Sequence, residues 1–136
     1  MSMTSEQALP PSIHRAGENV GRSPEGIASA SFWVEVLVDS NREGELTAMR
    51  ATLEPGTLTH WHSHPDGQIL YVLSGVGLAQ RKGAAIEELR AGDCITFLAG
   101  EVHWHGATAH SPFAYISIQG FRGGRAADWF QPVEAS

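Results

Sequence analysis

The chain has one cysteine, Cys94, so no intramolecular disulfide can form. That is compatible with a reducing compartment. The stretch "DCITF" alternates in polarity and predicts Cys94 as a buried structural thiol rather than a nucleophile. Basic residues are few, with 9 Lys and Arg against 15 Asp and Glu, for a formal net charge of −6. They form no run that could neutralise phosphates, which argues against a nucleic-acid partner. Arg81, Lys82, Arg122 and Arg125 are scattered and read as solvated surface. No apolar run is long enough to span a bilayer, so no membrane role is expected. The opening "MSMTSEQALPPS" has neither the basic nor the apolar region of a signal peptide, and cytoplasm is the expectation. A sustained helical period is also missing. The one stretch open to a helical reading is "GGRAADWF" near the end.

What the chain does have is 136 residues, 42% of them hydrophobic, with 15 glycines and 7 prolines. That is enough for one globular domain with a real core, rich in turns. Residues 1–27 are polar and rich in Pro, Gly and Ser, and predict an arm that is mobile or docked on a partner subunit. From residue 28 to 136 a β pattern holds, with a short C-terminal extension. Strands are expected over 30–38, 45–53, 58–64, 68–73, 76–81, 85–89, 93–98, 102–108 and 113–120. Turns such as "EPG", "HPDG", "KG" and "AGD" separate them. Many short strands at this spacing predict an all-β sandwich or barrel. An edge strand at 30–38 needs covering, which a two-fold homodimer would provide.

The histidines carry the chemistry. In "HWHSHPDGQ" (60–68), His60, His62 and His64 share a face if the strand is unbroken. Imidazoles clustered inside a barrel need a partner, and a divalent metal is one that suits neutral ring nitrogens. Gln68 lies across the "PDG" turn, where its carbonyl oxygen could join His62 and His64. In "EVHWHG", His103 and His105 again share a face.

Glycine spacing sharpens the reading. Gly56 is followed by five residues, His62-x-His64, three residues, Gln68, six residues and Gly75. Gly92 is followed by five residues, Leu98, one residue, Gly100, two residues and His103. These blocks resemble the two signature motifs of the cupin family, over about residues 45–120. The resemblance implies a single-domain double-stranded β-helix, or jelly-roll, barrel. It implies metal ligands at His62, His64 and His103, with Gln68 as the fourth. Three positions depart from the motifs: Gln68 for a glutamate, Leu98 for a proline and Ala107 for an asparagine. The alternative is a cupin without metal, its histidines kept as polar core.

The blocks "WHSHPDGQ" (61–68), "HWHGA" (103–107) and "DWF" (128–130) are also similar to those of small bacterial cupins that act as manganese-dependent hydroxynitrile lyases. That likeness implies manganese, with Fe, Ni, Co or Zn also compatible with the ligand types. It implies a lyase acting on a small molecule, a cyanohydrin. The runner-up is a dioxygenase of a small carbonyl or aromatic compound, and the third reading a non-catalytic small-molecule-binding cupin. Gln68 favours the lyase, because four neutral ligands leave the full charge of the ion to act as a Lewis acid. Gln68 could instead simply hydrogen-bond within the barrel. His105 and His60 are the candidate bases, though His60 could equally be a half-exposed strand residue. Tyr115 and Gln119 alternate inward on the last strand and could orient hydroxyl or cyanide. Tyr115 stands where the similar lyases have a histidine, and Gln119 where they carry a pocket glutamine. His14 and His110 read as solvated. Trp61 and Trp104 should face away from the metal, and Phe32, Phe97 and Phe113 are core or pocket-wall candidates.

Overall fold

A computed structural model describes residues 13–134. They form ten strands and, among the described residues, no helix. The strands are β1 (Val20–Arg22), β2 (Trp33–Val38), β3 (Leu46–Leu53), β4 (His62–Ser63) and β5 (Gln68–Arg81). Then come β6 (Ile86–Arg90), β7 (Cys94–Phe97), β8 (His103–Ala107), β9 (Phe113–Gly120) and β10 (Asp128–Trp129). All pairings are antiparallel, in the order β1-β2-β3-β9-β5-β8-β4-β10, with β6 and β7 also on β5. The all-β jelly-roll expectation is met.

Strand β5 joins the two halves of the barrel. Its first part pairs with β7 and β9, and its second with β6 and β8. Two strands were expected here, at 68–73 and 76–81. One continuous strand forms, with a register irregularity between Val72 and Ser74. The bend falls at Gly75, whose φ is +80°. A Cβ there would sit 1.8 Å from the Pro112 carbonyl oxygen, so only glycine fits.

Alternation along β9 divides the interior. Phe113 and Tyr115 point in at one end, Ser117 and Gln119 at the other, and all four are buried. Register continues each rung across the sheet: Leu53–Phe113–Gly75 at the apolar end and Thr47–Gln119–Gln68 at the polar end. Leu53, Leu70, Val72, Phe97 and Phe113 form the centre of the core. Each such side chain contributes about 1.5–3 kcal/mol by leaving water. The polar end is left for the histidines.

Several expectations need correction. Residues 1–12 of the expected arm lie outside the described residues, but residues 13–27 pack on the barrel. Val20–Arg22 pairs with Trp33–Glu35 as β1 on β2, covering that edge. His14 is not solvated: its Nε2 lies 2.6 Å from Glu35, and the contact is largely shielded. Cys94 is exposed, because it faces outward opposite Tyr71 while Phe97 turns into the core. The segment 58–64 is not one strand. Only His62–Ser63 forms β4, and Thr59 and Leu58 make isolated bridges. "GGRAADWF" forms no helix; it turns at Gly123–Gly124 and ends in β10. Trp104 is buried and meets Trp61 edge-on at 6.5 Å, as its outward alternation from the histidines implied. His110 is exposed as expected.

Candidate metal centre

Three strands and one loop bring the site together. His62 opens β4 and pairs directly with His103 at the start of β8. His64 follows β4, before the "PDG" turn, and Gln68 begins β5. The turn is tight: Gly67 has a φ of +82°, and a Cβ there would lie 2.6 Å from the Phe97 carbonyl oxygen. The coordinating atoms of His62, His64 and His103 all lie within 4.8 Å of one another. All three side chains are buried.

Each of these rings is held the same way. His62 Nδ1 donates to the His60 carbonyl, His64 Nδ1 to the Ala126 carbonyl and His103 Nδ1 to the Glu101 carbonyl, each at 2.8 Å. Burial holds all three below the ordinary histidine range, His103 down to about 4. For His62 the neighbouring imidazoles add to burial. The rings are therefore neutral at pH 7, with their proton on Nδ1. Every Nε2 is left as a bare lone pair.

Those lone pairs have no donor to meet. His64 Nε2 is buried without any hydrogen-bond partner among the described residues. His103 Nε2 faces Gln68 Oε1 at 3.1 Å, an acceptor against an acceptor. Gln68 cannot relieve this by donating, because its Nε2 already donates to Gln119 Oε1 at 3.1 Å. An unsatisfied buried acceptor costs about 1–3 kcal/mol, and here His64 Nε2 and His103 Nε2 converge. A divalent cation is the partner such a donor set fits: three imidazole nitrogens and one amide oxygen, all neutral.

Rings on either side fix the imidazoles. Phe97 stacks on His103 with centroids 3.5 Å apart and planes 6° from parallel. Trp129 lies over His62 at 4.5 Å. β10 pairs with β4, and beside it the Phe130 N–H donates to the Trp61 carbonyl while the Trp61 N–H donates to the Gln131 carbonyl. The C-terminal segment thus belongs to the site. Its Ala126 carbonyl and Trp129 ring were missed as site groups; "DWF" was the only signal, and a backbone carbonyl has none.

The remaining candidates divide. His105 is buried, and its Nε2 meets the Tyr115 hydroxyl at 3.0 Å. Burial pushes His105 well below the ordinary range and Tyr115 well above, so both stay neutral. His105 Nδ1 has no partner among the described residues. Both residues line a cavity of about 550 Å³ that also reaches His62, His64, Gln68 and Gln119. Its other walls are mainly apolar and include Phe32, Val34, Val36, Met49 and Trp129. The structure does not bring His60 to this cavity. The break before β4 removes it from the ligand face, and its carbonyl, not its ring, serves His62.

A family profile described as "Cupin domain" matches residues 49–119. The chain belongs to the cupin family. This cupin is 37% identical over 122 residues to "(R)-mandelonitrile lyase" of Granulicella tundricola, covering 89% of this chain and 93% of that one. Among solved structures it is similar to a cupin-like protein from Thermotoga maritima, at 32% identity and a TM-score of 0.78. That match covers 89% of this chain and 92% of the other. A polyketide cyclase from Streptomyces resistomycificus shares the fold at 18% identity and a TM-score of 0.70, over 94% and 88% of the two chains.

Proposed function

We propose that this cupin is a metal-dependent lyase that cleaves and forms cyanohydrins. The observation that carries the reading is the pairing of an all-neutral acceptor cluster with a buried His105–Tyr115 couple, both opening on one apolar cavity. Likeness to a protein named for mandelonitrile cleavage supports the same reaction class. The apolar walls suit an aryl or alkyl substituent rather than a charged one.

His62, His64, His103 and the Gln68 oxygen would hold the ion, with manganese the first choice and Fe, Ni, Co or Zn compatible. When bound, it supplies Lewis acidity that favours the alkoxide form of a substrate hydroxyl. The protein's own groups handle the proton. Tyr115 donates its hydroxyl hydrogen to neutral His105 Nε2 as it accepts the substrate hydroxyl proton. The bond from the carbinol carbon to the nitrile carbon breaks, and its electron pair leaves on cyanide. The carbinol oxygen becomes a carbonyl. The proton held by His105 then passes back through Tyr115 to cyanide, giving HCN. Trp129 lines one side of the cavity over His62 and offers an aryl substituent an apolar face.

The test is anaerobic incubation of metal-loaded protein with an aryl cyanohydrin, following aldehyde release. Cleavage without oxygen is expected. His105→Ala should keep its metal and lose about 100-fold or more in rate, the usual scale for a general base. No cleavage by metal-loaded protein, or cleavage only with oxygen consumed, would reject the lyase.

A further inference from the structure

The direction of one amide decides whether the fourth acceptor exists. Turning the Gln68 amide by half a rotation would exchange its oxygen for an NH2 group with almost no change of shape. In the metal-free cluster the local preference runs toward that turn. His103 Nε2 is a lone pair, and an amide N–H facing it would make an ordinary hydrogen bond. Yet the oxygen faces it, at 3.1 Å. Something outside the cluster holds the amide against its nearest neighbour.

That something is the polar rung of the sheet. Register places Thr47, Gln119 and Gln68 side by side on three adjacent strands. The Thr47 hydroxyl donates to the Gln119 backbone carbonyl, 3.4 Å away. Its oxygen is then free to accept Gln119 Nε2 at 2.8 Å. The Thr47 carbonyl lies 3.4 Å from the same nitrogen and accepts from it too. Held by its NH2 group, Gln119 can turn only its oxygen to Gln68, and Gln68 must donate to it at 3.1 Å. Gln68 Oε1 is left pointing into the histidine cluster. We propose that Thr47 and Gln119 are positioning residues that lock Gln68 as an oxygen donor before any metal arrives. This deepens the metal-site reading and rests on it.

Preorganisation of this kind acts through affinity, because a flipped amide would have to turn before it could bind. Thr47→Val keeps the shape and removes the hydroxyl; Thr47→Ser keeps the hydroxyl. Two measurements separate the relay from its purpose. The first follows the side-chain amide signals of Gln68 in metal-free, 15N-glutamine-labelled protein, assigned by their loss in Gln68→Leu. Wild type and Thr47→Ser should share their shift and slow exchange, while Thr47→Val should move both. The second measures the dissociation constant for Mn(II) by competition with a fluorescent chelator. Loss of one buried hydrogen bond predicts a rise of about five- to tenfold for Thr47→Val and little change for Thr47→Ser. Identical amide signals in all three proteins would overturn the relay. Equal Mn(II) affinities in all three would overturn its positioning role. A wild type that binds no Mn(II) or other first-row ion would overturn the metal site itself, and the positioning role with it, whatever the amide signals show.

Discussion

Acidifying the metal-free protein from pH 7.5 to pH 5 should destabilise it through its buried imidazoles. His103 is held at about 4 in the fold by burial, against 6.5 for an ordinary histidine. Between those values the unfolded chain binds a proton that the folded chain refuses, so stability falls as pH falls. Above pH 6.5 the contribution is fully present; below about 4 it is fully lost. At pH 5 the loss from His103 alone comes to about 2 kcal/mol, with about 3 kcal/mol as the full amount. His62 and His105 are also held well below the ordinary range, so His103 sets a floor. The carboxylates shifted by their partners, Glu35, Glu43, Glu45, Glu101 and Asp128, all move below their ordinary values and add to this loss mainly at lower pH. The assay is urea unfolding of EDTA-treated protein at pH 7.5 and pH 5. With a slope of about 1.5 kcal/mol per molar, the midpoint should drop by about 1 M or more. A metal at a hundred times its dissociation constant should add back about 2.7 kcal/mol at pH 7.5. Equal midpoints at the two pH values in EDTA would refute the claim that these imidazoles are buried neutral.

Four further outcomes are expected. His103→Ala should lose bound metal by elemental analysis after purification, since it removes one of three converging nitrogens; full occupancy would undo the ligand assignment. Gln68→Glu should keep metal but slow anaerobic cyanohydrin cleavage, by about tenfold for each pH unit that the added charge raises the bound hydroxyl; equal rates would remove the Lewis-acid argument. Gly75→Ala should destabilise the fold by more than about 2 kcal/mol in urea, because its φ is +80° and its Cβ would strike the Pro112 carbonyl. The protein should run as a homodimer by light scattering at micromolar concentration, with the outward Ile69 and Tyr71 beside Ile116 and Ile118 as the surface a second copy would cover; a monomer would refute this.

The barrel was legible because its strands alternate and its turns carry glycine at fixed spacing. The histidine cluster was legible for a partly different reason than alternation. His62 and His64 do converge, but β4 ends at Ser63, and the ring of His64 is set by the Ala126 carbonyl rather than by a strand. The same break explains why His60, one step earlier in the same alternation, falls away from the site. A period of two holds only while the ladder is intact, and the ladder here is interrupted before His62. What could not be read was everything fixed by long-range pairing. Trp129 meets His62 because β10 returns to β4. Val20–Arg22 becomes a cavity wall because it pairs with β2, although its composition resembles that of the arm before it. Thr47 looks like any strand threonine until the register with Gln119 is known.

Register also gives a second reason for glutamine at position 68. A carboxylate there would only accept, and Gln119 Oε1 beside it would lose its donor. The amide donates on one side and accepts on the other, so it can be aimed by a neighbour and still present a lone pair to a cation. Gln119 repeats the arrangement one strand further out, and Thr47 ends the chain with a hydroxyl that donates to backbone and accepts from side chain. Three neutral groups on one rung thereby deliver one oriented oxygen without adding charge to the centre. A glutamate would supply the oxygen more simply, but it would bring a negative charge and reverse the rung's direction of donation. The glutamine at position 68 is thus tied to two other positions, and Gln68→Glu would require Gln119 to turn as well.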